Sequence, residues 1–158
     1  MAPSLEPLLR FNLWANRLVV QHCRAIDPAL LDAAPLPGVY GTVRATLAHI
    51  ASAEAAYAAR LRGKEPVRLP PDADLDRIAE SLERTGLDLL ELARTVPADR
   101  VVSYTSPTLG DVSVPAWVIF AQLVVHGCDH RSQLATLFTH LGAPLPPLDV
   151  WQFAGVRR

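Results

Sequence analysis

Four stretches of helical hydrophobic periodicity, each bounded by proline or glycine, limit what this chain can fold into. The first runs from about Leu5 to Ile26, with an apolar stripe of Leu8, Phe11, Leu18 and Val19 and Trp14 close beside it. Asp27-Pro28 ends it, because a residue preceding proline avoids the helical region. The three prolines between Asp27 and Gly41 make that stretch a long loop. The second helix starts near Thr42, a good N-cap, continues to Leu61 and stops at Gly63. Ala45, Ala48, His49, Ser52, Ala53 and Ala56 share one side of it, where a neighbouring helix approaches closely or a pocket opens.

After a polar, proline-containing connection from Gly63 to Ala73, the third helix spans about Asp74 to Val96. Leu75, Ile78, Leu82, Leu89 and Ala93 form its buried stripe, and Asp72, Asp74 and Asp76 suit the positive helix N-terminus. Gly86 inside it costs about 1 kcal/mol relative to alanine, which points to close packing. Arg100 to Tyr104 and Asp111 to Val114 read either as a short β-hairpin or as a loop. The fourth helix starts near Ser113 to Pro115, runs to about Leu141 and ends at Gly142. In the tail, Asp149, Val150, Trp151 and Phe153 are expected to dock on the helices. An all-α four-helix bundle follows, as a single domain over residues 1–158.

Composition narrows the function. Half of the residues are hydrophobic, enough to bury a core. The formal charge of -1, with Lys64 the single lysine, offers no basic field for nucleic acid. Cys23 and Cys128 form no CxxC pair, and free thiols in a reducing compartment are expected. The opening MAPSLEPLLRF holds an early Glu and no apolar stretch of signal-peptide length, and no apolar run is long enough to span a membrane. A cytoplasmic protein is the expectation.

Chemistry concentrates in VVHGCDHRSQL. His126 and His130, four residues apart, are neighbours on one helix face, in the stripe Ile119, Leu123, His126, His130, Leu134, Leu137, Leu141. Two imidazoles in an apolar core need hydrogen-bond partners or a metal ion. The alternative is a pair of helical histidines solvated or bonded to carboxylates. His49, on the small-residue side of a different helix, converts the pair into a candidate three-histidine site. Three protein ligands with positions left open is the pattern of catalytic rather than structural zinc.

His140 lies 14 residues past His126, about 21 Å along a helix, too far to share an ion. It and His22 read as structural, with a pocket-lining role the alternative for His22. Cys128 and Asp129 point away from the histidine face, whereas Gln133 lies on it and either supports or touches a ligand or is an ordinary polar residue at a helix seam. Glu54 is rotated off the His49 face, which suits a solvated or inter-helix role. Walker A, GxGxxG, GxSxG and HExxH motifs are absent, as are the ExxH repeats of di-iron bundles.

FNLWANRLV, TVRATLAHIASAE, HGCDHRSQLATLFTHLG and PPLDVWQF, in that order and spacing, resemble the DinB/YfiT-like metalloenzyme family over nearly the whole chain. The most specific piece is H-x3-H-R-x-Q followed by a Leu-rich run ending in Leu-Gly. The resemblance implies a four-helix bundle with one divalent metal ion on His49, His126 and His130. Zn and Ni are the leading candidates, with Fe or Co as further ones. Where the family often has a further histidine and a glycine, this chain has Asp129 and Ser132, neither of them a ligand position. The resemblance also implies a homodimer and a small-molecule substrate. Relatives include thiol-dependent transferases and a maleylpyruvate isomerase that use mycothiol or bacillithiol. Thiol-dependent S-transferase or isomerase chemistry is therefore the expectation, with a low-molecular-weight thiol as co-substrate. A metal-dependent hydrolase and a non-catalytic, metal-binding stress-response module are the alternatives.

Overall fold

A computed structural model describes residues 5–106 and 108–156. The order is α1 (Glu6–Ala25), a 3-10 turn (Pro28–Asp32), α2 (Val43–Arg62), α3 (Leu75–Thr95), β1 (Val101–Ser106), β2 (Gly110–Pro115), α4 (Ala116–His140) and the single turn α5 (Val150–Phe153). The fold is mostly helical, with one small antiparallel sheet. α1 and α2 each pack against both α3 and α4.

Local chemistry sets the helix ends. The Thr42 hydroxyl accepts the Ala45 N–H at 3.1 Å, and an Asp74 carboxylate oxygen accepts the Arg77 N–H at 2.8 Å, so α2 and α3 each begin with an amide satisfied by a cap. α2 ends at Gly63, whose φ of 65° lets the Lys64 amide fold back to the Ala59 carbonyl at 2.8 Å. Gly86 is where α3 meets α1: a Cβ there would lie 2.6 Å from Leu13 Cδ1. The close packing expected of this glycine is therefore observed.

The segment before α4 is a hairpin, with Val102 opposite Val114 and Tyr104 opposite Val112. Ser113 to Pro115 belong to β2 and not to the helix, which starts at Ala116. The first α4 amides are satisfied by the preceding chain, Ala116 N–H by the Arg100 carbonyl at 2.8 Å and Trp117 N–H by the Ala98 carbonyl at 2.9 Å.

Two apolar clusters fill the interior. One holds Val19, Leu47, Ile50, Ile78, Leu82, Leu134 and Phe138, and the other Leu9, Leu61, Leu89, Ile119, Phe120 and Leu123. Each fully buried side chain of this size stabilises the fold by roughly 1.5–3 kcal/mol. Two expectations fail. Leu8 is 45% exposed, because the buried face of α1 runs through Leu9, Phe11 and Leu13 instead. In the tail, Phe153 docks, with its ring 5.9 Å from Phe11 and 5.5 Å from Trp14, but Trp151 and Val150 stay exposed. Trp151, two residues before Phe153, is turned to the other side of the helical turn.

Between the apolar clusters lies a buried polar layer. Along α1 the order is Leu9, then Asn12 and Asn16, then Val19; along α2, Ile50, then Glu54, then Ala58 and Leu61; along α4, Leu123, then Arg131, then Leu134. His126 and His130 lie on the same stretch of α4, between Leu123 and Leu134, whereas His49 lies beside Ala48 and Ile50 of the first cluster.

Candidate metal centre

His49 projects from α2 and His126 and His130 from successive turns of α4. The structure brings the three together, with one ring nitrogen from each within 4.8 Å of the others. His49 Nε2 and His126 Nε2 stand 3.0 Å apart. The ring centroids of His130 lie 4.6 Å from His49 and 4.5 Å from His126. Among the described residues this group contains no cysteine or carboxylate.

Hydrogen bonding decides the tautomer of His130. The Tyr40 backbone N–H donates to Gln133 Oε1 at 3.0 Å, so that atom is an acceptor. His130 Nδ1 lies 3.2 Å from the same oxygen and must carry the hydrogen. A partner that holds the far nitrogen of an imidazole ligand is a regular feature of metal sites. Gln133, one of the roles the helical spacing left open, thus touches a histidine directly.

Burial favours the neutral form of His126 and His49. It lowers the His126 pKa to about 4, with the neighbouring His130 and His49 adding to the effect. His49 is also lowered, first by burial and then by His130 and Arg68. Neutral rings offer lone pairs, which a cation requires. Ligand nitrogens around tetrahedral zinc, with bonds of about 2.0–2.1 Å, stand about 3.3 Å apart, so the His49–His126 spacing is near what such an ion needs. The donor set suits zinc and other borderline divalent ions.

Two tyrosines, unmarked by any sequence signal, wall the cluster. The Tyr40 ring stacks on His49 at 4.0 Å, and the Tyr57 ring meets His126 edge-on at 6.1 Å. Burial raises the Tyr57 pKa, so its phenol stays a neutral hydrogen-bond donor. A cavity of about 170 Å³ opens beside His49 and His126, floored by Ser52, Ala53 and Ala56. The small-residue side of α2 thus makes a pocket. A depression of about 430 Å³ between α1 and α3, around Arg17 and Glu83, does not reach the histidines.

Comparison with known families supplies the decisive observation: the model of the DinB family matches residues 1–156. The chain belongs to the DinB family. No curated protein matches it.

The other motif residues of this DinB-family chain build the buried layer behind the site. Asn12 and Asn16 donate to Glu54 Oε1 at 2.7 and 2.8 Å, while Arg131 Nη1 donates to Asn12 Oδ1 at 2.9 Å and Asn16 Oδ1 at 2.7 Å. A buried carboxylate and a buried guanidinium are thereby bridged by two amides. Burial raises the Glu54 pKa, opposed by the asparagines and Arg131, and burial lowers that of Arg131. Glu54 is 1% exposed, so its role is inter-helix and not solvated. Gly127 makes room for the network: a Cβ there would lie 2.6 Å from Asn12 Oδ1 and 2.8 Å from Arg131 Nη1. The signal in the sequence was two amides at i and i+4 inside an apolar helix face.

The remaining polar candidates stay outside the cluster. His22 Nε2 lies 2.8 Å from the Ala143 carbonyl oxygen and its ring packs on Phe138, tying α1 to the chain after α4. His140, Cys128 and Asp129 are exposed. Among the described residues, no helix is long and apolar enough to cross a membrane.

Proposed function

We propose that this protein is a metal-dependent enzyme in which His49, His126 and His130 hold one divalent ion, Zn or Ni before Fe or Co, in a four-helix bundle. The observation that carries this is a group of three imidazoles, joined by no cysteine or carboxylate among the described residues, beside a cavity. A structural site closes its coordination with protein; this arrangement leaves positions for an exogenous ligand.

The proposed chemistry is transfer to, or isomerisation through, a low-molecular-weight thiol. The bound ion would lower the pKa of a coordinated thiol, supplying a nucleophile at neutral pH. In the transfer, the thiol proton passes to water, the sulfur forms a C–S bond to an electrophilic carbon, and the displaced group leaves with the electrons of the broken bond. Gln133 orients His130, Tyr40 covers His49, and Tyr57 forms part of the cavity wall. The homodimer expected from the family belongs to the same proposal.

Elemental analysis of untagged protein supplied with Zn, Ni and Fe in turn tests the first part. One ion per chain is expected, lost on H49A, H126A or H130A. Failure to retain any of these metals rejects the site. Thiol consumption with a panel of electrophiles tests the second part, and a metal-loaded protein that consumes none rejects the transferase reading.

A further inference from the structure

We infer that Arg60 and Arg68 form an oxyanion-binding subsite next to the histidine cluster, so that the molecule processed there carries a carboxylate or phosphate group. The substrate assignment rests on the reading of the cluster as the reaction centre.

Both arginines line the cavity that His49 and His126 line. They also line a wider adjoining depression of about 510 Å³, which Lys64, Glu65 and Tyr104 border. The pair therefore stands where the histidine compartment opens outward. Arg60 is eleven residues after His49 on α2, three turns or about 16 Å along the axis. Side chains on a helix lean toward its N-terminus, so the guanidinium reaches back toward the cluster. A ligand spanning this distance has its reacting atom at one end and its anionic group at the other.

Arg60 is held by aromatic faces. Its guanidinium carbon lies 4.2 Å from the Tyr104 ring centroid and 5.5 Å from that of Tyr57. Stacking engages the flat faces of a guanidinium and leaves its in-plane N–H groups free for a carboxylate or phosphate. Arg68 lies on the connection between α2 and α3. That connection is pinned at the cavity, because the adjoining Leu69 N–H donates to the Ser52 hydroxyl at 2.9 Å. The two cations thus reach one opening by independent routes, one from a helix and one from an anchored loop.

Charge accounting leaves both available, as it does Arg77, Arg84 and Arg94 elsewhere on the surface. Arg10, Arg17, Arg24, Arg44 and Arg62 each pair with a carboxylate. Among the described residues neither Arg60 nor Arg68 has a carboxylate within ion-pair distance. A solvated surface arginine needs no partner, but Arg60 is half-buried between two rings at the mouth of a cavity.

Calorimetric titration with succinate, inorganic phosphate and the neutral succinamide tests the subsite, at neutral pH, on the chelated and the zinc-loaded protein. Succinate or phosphate is expected to bind both forms, and the tighter of the two identifies the anionic group; succinamide is not expected to bind. R60Q and R68Q should each weaken binding roughly tenfold, and the double variant should abolish it. R68Q alters an exposed side chain, and circular dichroism checks that R60Q is folded. Anion binding that is absent from both forms, or unchanged in R60Q and R68Q, overturns the proposal. Arginine-dependent binding to the chelated protein supports the subsite even if elemental analysis rejects the metal, so the two readings fail separately.

Discussion

Gln133 Oε1 accepts from His130 Nδ1 at 3.2 Å while it also accepts the Tyr40 amide, and this fixes which imidazole nitrogen faces the cluster. Q133L removes that restraint without touching a ligand. Metal affinity should fall about 10–100-fold, with little change in helical content. Competition with a chelator of known affinity measures it, and unchanged affinity would show that His130 is oriented by packing alone.

The buried layer should be strongly coupled. R131M leaves Glu54 buried without its counter-charge and should lower stability by about 3–5 kcal/mol. E54Q keeps the acceptor oxygen and removes the charge, so E54Q/R131M should recover part of that loss, with a coupling energy on the order of 1–3 kcal/mol. G127A, which drives a Cβ against Asn12 and Arg131, should cost about 1–3 kcal/mol through the same network. Urea unfolding reads all of these; additive single effects would mean that the amide bridge transmits nothing.

Acid should weaken the chelated protein over a defined range. The His126 pKa falls from the ordinary 6.5 to about 4 in the folded state, and His49 shifts in the same direction. Between those two values the unfolded chain binds more protons than the folded one. The contribution of the neutral ring is complete above pH 6.5 and is lost as pH falls toward 4. H126Q should flatten this part of the stability–pH curve. A wild-type curve already flat across that interval contradicts the buried neutral ring.

The two thiols should separate cleanly. Cys128 is exposed, whereas Cys23 is buried and its pKa is pushed up to about 12 by that burial. A chromogenic disulfide reagent should titrate one thiol in the folded protein and two after unfolding. Fast reaction of Cys23 without denaturant would show that the α1 core opens readily.

The four long helices, their caps at Thr42 and Asp74 and the stop at Gly63 are decided by local rules, and so were legible in the sequence. The His126–His130 pair was legible for the same reason, since a spacing of four fixes a shared face on any helix. His49 was placed by family resemblance and by its small-residue surroundings. Only the packing of α2 against α4 sets its Nε2 3.0 Å from that of His126. Tyr57 against His126 and the Asn12–Glu54–Asn16–Arg131 bridge join segments far apart in the chain, and Tyr40 reaches His49 across the turn into α2. No periodicity encodes such contacts, because they depend on the distances and rotations between helices. Residue order settled which side chains each helix presents inward; the assembled interior alone determined which of them meet.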